Sequence, residues 1–97
     1  MSLLTYESFG PHVNSTFTLD LGVSSIELTL TEATRQVVRP FPGMMREPFS
    51  LIFRSSSPVV LPQRTYPISH AAMGRLDLFI VPVGRDARGV VYQAVFS

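Results

Sequence analysis

The sequence predicts an all-β fold: a compact six-stranded, mostly antiparallel barrel or sandwich with a short N-terminal helical turn. Three observations predict it. Thr16-Phe17-Thr18-Leu19-Asp20-Leu21 and Ile26-Glu27-Leu28-Thr29-Leu30-Thr31 alternate apolar and polar residues, the period of strands with one wet face. Turn-forming residues recur at short spacing between such runs. Leu76-Asp77-Leu78-Phe79-Ile80-Val81-Pro82-Val83 is apolar on both faces from Leu78 onward, so the outer face there needs cover from the chain itself or from a partner.

Each element has a local reason. Residues 5–9 read as one helical turn, with Thr5 as cap, Glu7 as a first-turn acid and Gly10-Pro11 as the stop. Tyr6 and Phe9 lie three apart and share a face, able to plug a barrel end or cover an outer patch. Strand one spans 15–21 and strand two 25–31. Gly22 is free to take positive φ in the turn between them.

Residues 32–47 form a long irregular connection, in which Pro40 and Pro42 bracket Phe41 and exclude regular helix or interior strand. Phe41, Met44 and Met45 are its apolar anchors, placed to tuck into the core edge or to meet a partner. Strand three covers 48–54, with Phe49, Leu51 and Phe53 inward and Ile52 outward. Strand four covers 64–70, where Pro67 demands an edge or a bulge. Strand five runs over 75–83. A polar tip at 84–89 leads into strand six, 90–96, with Val90, Tyr92, Ala94 and Phe96 on one face. Closing six strands removes the open edges that invite aggregation. Residues 1–97 form a single domain.

Composition narrows the function classes. The eight basic residues are all arginine and are spread among seven acids, which leaves no basic stripe for nucleic acid. Cysteine is absent, so neither a disulfide framework nor a thiolate metal site exists. No run approaches a membrane span. The start of the chain lacks a signal peptide's pattern, so a cytoplasmic location is expected. Charged residues make up only 15% against a usual share of roughly 25%, which favours self-association or residence in a larger assembly.

No reactive centre stands out. His12 and His70 lack the spacing of metal ligands, and both are expected as structural hydrogen-bonders. Ser50, His70 and Asp77 can be named as a triad only because such sets exist in almost any chain. No strained nucleophile turn accompanies them. The acids Asp20, Glu27, Glu32 and Asp77 fall on solvated faces. No catalytic residue, cofactor or metal is expected.

Particular strings carry a resemblance. Arg46-Glu47-Pro48-Phe49-Ser50-Leu51, Leu61-Pro62-Gln63 with Thr65-Tyr66, and Leu78-Phe79-Ile80-Val81-Pro82-Val83-Gly84, together with Phe9, His12-Val13 and Thr16-Phe17, resemble a small bacterial family of uncharacterised all-β domains. The family has no assigned activity, and some members look like neighbours of phage-tail-like genes. Arg64 departs from the family pattern, where glycine is expected after Leu-Pro-Gln, so the turn there should differ.

These readings converge on a non-enzymatic interaction or structural module that self-associates or docks in a larger assembly. The expected partner is a protein or a second copy, with no nucleic acid and no membrane. Its contact residues are expected among Phe41, Met44, Met45, Ile52, Phe79 and Val81. The competing expectation is a small-ligand-binding β-barrel with the 32–47 loop as lid and His70 or Tyr66 as polar contacts. Six strands bearing Phe and Leu inward argue against a cavity.

Overall fold

Strands that each carry one apolar face can bury all of them together when their sheet curls and closes on itself. This chain does so. The computed structural model describes residues 4–36, 42–43 and 47–96. Helix α1 (Tyr6–Phe9) runs into a 3-10 turn (Gly10–His12). The strands β1 (Thr16–Asp20), β2 (Ser25–Arg35), β3 (Phe49–Ser55), β4 (Arg64–His70), β5 (Gly74–Asp86) and β6 (Gly89–Phe96) follow. They close an antiparallel barrel in the order β1-β2-β3-β6-β5-β4. The order is not a simple up-and-down one: β3 neighbours β6, and the chain crosses a barrel mouth to reach β4.

The core is the inward half of each strand. Phe17, Leu19, Leu28, Leu30, Phe49, Leu51, Phe53, Ile68, Ile80, Val90 and Tyr92 are fully buried. Phe17 meets Phe53 edge to face at 5.4 Å between ring centres, a favoured aromatic geometry. Each mouth has its own closure. At one, Phe9 of α1 lies 6.0 Å from Phe49 and 5.7 Å from Phe96. At the other, the 56–63 connection lays Leu61 over the barrel, where its N–H donates to the Tyr92 hydroxyl at 3.0 Å.

Two irregularities explain where sequence reading falls short. In β2 the inward positions are Leu28 and Leu30, but the register against β3 shifts between Leu30 and Glu32. Thr31 is the extra residue of a bulge. Beyond it the inward phase passes to Ala33, opposite Leu51, and the strand continues to Arg35. The irregular connection therefore begins after Arg35 and not at Glu32. In β5 a second shift falls between Pro82 and Gly84, at the exposed Val83. That hairpin also runs past the expected polar tip, to Asp86 paired with Gly89.

Other elements follow the local reading closely. Helix α1 forms, although its cap uses the Ser8 hydroxyl, which accepts from the Thr5 N–H at 3.0 Å. Gly10 and Pro11 do not stop the chain there, because Pro11 is accommodated in the first turn of the 3-10 segment. Pro67 sits where the β1–β4 ladder has already ended at Ile68, so its missing N–H interrupts no pairing to β1. Arg64 opens β4 opposite Ile80.

Candidate functional site: an outer apolar face and a histidine node

Alternation decides what the barrel shows outside. With Leu78 and Ile80 inward, β5 turns Phe79 and Val81 outward; with Tyr92 and Ala94 inward, β6 turns Val91, Gln93 and Val95 outward. Pairing brings these rows together. Ile52 of β3 stands opposite Gln93, and Val81 of β5 stands opposite the same Gln93 from the other side. Phe79 lies two residues before Val81 on β5, and Val95 two residues after Gln93 on β6.

The result is an apolar strip on the barrel wall. Phe79, Val83 and Val95 are 53%, 52% and 57% exposed, while Ile52, Val81 and Val91 are half-buried. Charges frame the strip. At one end Arg54 donates two hydrogen bonds to Asp86, at 3.0 and 3.1 Å. At the other, Arg75 and Asp77 lie exposed on β5. Asp86 also accepts from the Arg88 N–H. Its carboxyl is held below the ordinary carboxylate range by Arg54 first and that N–H second.

The structure gathers three of the residues singled out from sequence, Ile52, Phe79 and Val81, on this strip. Phe41, Met44 and Met45 lie outside the described residues. Helix α1 sits at the mouth, with Phe9 seated on Phe49 and Phe96, and Phe79 keeps its exposure. Val83 falls on the same outward phase of the alternation as Phe79 and Val81 and joins them on this face.

The second constellation joins residues far apart in sequence. His70, at the end of β4, has its ring 4.4 Å from Phe17 and 4.6 Å from His12 between centres. Its Nδ1 accepts from the N–H groups of Ala72 at 3.0 Å and Met73 at 3.2 Å. Its Nε2 lies 2.9 Å from the Ser15 hydroxyl, and that hydroxyl donates to the His12 carbonyl. The polarity of the chain is thereby fixed. An Nδ1 that accepts twice carries no proton, so Nε2–H donates to Ser15. Burial first, then the neighbouring His12, hold the His70 pKa below its ordinary value.

A serine beside a histidine invites a nucleophilic reading, and the polarity argues against it. A general base must offer its lone pair to the serine while its other nitrogen donates to an orienting group. Here His70 offers Ser15 a proton. The triad named from sequence does not assemble either. Ser50 and Asp77 occupy outward positions, opposite Val95 and Pro67, while His70 turns inward beside Phe17. Among the described residues, no three metal-ligating side chains cluster, and no helix is long and apolar enough to cross a membrane.

The polar contacts suggested for a ligand are also committed to the chain. Tyr66 donates its hydroxyl proton to the Pro62 carbonyl at 2.7 Å, and His70 is engaged at both nitrogens. In comparison with known proteins, a family model described as Domain of unknown function (DUF6916) matches residues 4–96. No curated protein and no solved structure matches the chain.

Proposed function

We propose that this chain, which belongs to the DUF6916 family of domains of unknown function, is an interaction module that self-associates through the outer face of β3, β6 and β5. One observation carries the reading: Phe79, Val83 and Val95 stand half-exposed together, over a floor of half-buried Ile52, Val81 and Val91. Scattered surface hydrophobics are ordinary, but a contiguous strip with a charged rim has the anatomy of a protein interface. Phe79, its one aromatic, supplies the kind of anchor on which binding energy concentrates.

The rim favours a second copy as the occupant. Both ends carry an arginine and an aspartate, Arg54 with Asp86 and Arg75 with Asp77. A contact related by a two-fold axis sets such mixed rims against each other without like charges being forced together. The resemblance to a family some of whose members look like neighbours of phage-tail-like genes fits a module repeated in a larger assembly.

A photo-crosslinking amino acid placed at Val95 tests the reading, with one at Glu27 as control on the exposed outer side of β2. Cross-links from position 95 of one copy into β5 or β6 of another, with none from position 27, are expected. Equal labelling from both positions, or none from 95, overturns it.

A further inference from the structure

We propose that the His70 node is a pH-operated latch: a proton added to this ring frees the β4–β5 turn and, through Ser15 and His12, the helical segment that closes the barrel mouth. Hydrogen-bond direction sets how this ring responds to a proton. Two backbone N–H groups point at Nδ1, from Ala72 and Met73. Nε2 already holds its proton toward Ser15. A second proton has only Nδ1 to occupy, and there it meets two donors. Both bonds are lost and the ring must turn away. Turning it withdraws Nε2–H from Ser15 and separates the His70 ring from His12 and Phe17.

Among the described residues, the charged neighbour that acts on His70 is another histidine and not an acid. From the 3-10 turn, the titratable group facing His70 is His12, which adds repulsion when protonated. From β1, Ser15 and Phe17 carry no charge. From β5, Arg75 and Asp77 belong to the opposite, outer side of the sheet, as Ser69 and Pro67 do on β4. Burial works in the same direction as these contacts, since it disfavours the charged ring.

The sign follows from linkage. A histidine whose folded pKa lies below its unfolded value of about 6.5 stabilises the closed form fully above that pH. The contribution is lost as pH falls from there through the folded pKa. The latch is therefore shut at neutral pH and opens on the acid side. His12 immediately precedes the loop into β1, so its release loosens the tether of α1. Phe9 would then still rest on Phe49 and Phe96. Contacts to β2 would also remain, among them the Arg35–Glu7 ion pair at 2.6 Å, Arg35 over the Tyr6 ring at 4.6 Å and the Asn14 N–H on the Leu30 carbonyl at 2.6 Å.

Hydrogen exchange of the full chain, corrected for the intrinsic effect of pH, tests the latch between pH 8 and 5. Amides of Ser15, Ala72 and Met73 should lose protection on acidification by up to about tenfold per pH unit, the limit for one proton, while β3 and β6 amides hold. His70→Gln cannot titrate and should abolish that pH dependence. Protection that stays level with the barrel in the wild type, or an unchanged dependence in His70→Gln, overturns the proposal. Should that variant not fold, ring ¹⁵N shifts of wild-type His70 decide: an Nε2–H tautomer at pH 8 supports the latch, and an Nδ1–H tautomer refutes it.

Discussion

Removing one oxygen from the far mouth tests how that end of the barrel is closed. The Tyr92 ring is fully buried, and its hydroxyl accepts the Leu61 N–H at 3.0 Å. Tyr92→Phe keeps the ring and its apolar contacts and deletes that acceptor. The Leu61 N–H is then left in a nearly dry position, because Leu61 is itself only 7% exposed. A buried donor without a partner costs about 1–3 kcal/mol. The hydroxyl's own bond to the Val59 carbonyl is long, at 3.4 Å, so little more is lost with it. Taking about 2 kcal/mol as the centre, the melting temperature should fall by roughly 8–16 °C, since each kcal/mol moves a domain of this size by about 4–8 °C. Urea unfolding of both proteins measures the loss directly, with an unchanged slope showing that only stability has changed. Hydrogen exchange at Leu61 should accelerate in the variant. A loss below about 0.5 kcal/mol, less than an unmet buried donor costs, would refute the reasoning that this one bond seats the crossing segment.

Gly89→Ala should prevent folding or severely weaken it, because the added Cβ would fall 1.8 Å from the Ser55 carbonyl oxygen at a backbone φ of +133°. Circular dichroism and a melting curve check this. Phe79→Asp should remain folded: its side chain is 53% exposed, so about half of the roughly 1.5–3 kcal/mol for a fully buried Phe is at stake, and urea unfolding should show a loss near 1 kcal/mol. Arg54→Ala should flatten the acid limb of stability. The Asp86 carboxyl is held low chiefly by Arg54, so its contribution is present above the ordinary carboxylate range and lost as pH falls through and below it. Urea midpoints between pH 6 and 3 should show a shallower decline in the variant.

The barrel itself is legible because the first two strands alternate cleanly and turn residues separate the later runs, and strand four has the ends its sequence marks, Arg64 and His70. What alternation cannot convey is a change of phase. Past the extra residue Thr31 the inward phase passes to Ala33, opposite Leu51, so the apolar alternation stops at Thr31 while the strand goes on. Strand order was not legible either, since any antiparallel neighbour presents a suitable inward face. The contact between Ser15 and His70 spans 55 positions and exists only because β1 pairs with β4. His70 was expected to be a structural hydrogen-bonder, and its two nitrogens are indeed engaged by Ser15, Ala72 and Met73. The apolar back of β5 was visible directly in the run from Leu78 to Val83, because there polar residues fail to alternate.

Sedimentation velocity of the wild type and of Phe79→Asp, each over a wide concentration series, addresses the self-association claim most directly. The wild type should shift toward a larger species as concentration rises, and the folded variant should sediment as a single copy throughout. A wild type that stays monomeric at every concentration, or a variant that associates equally well, would contradict it.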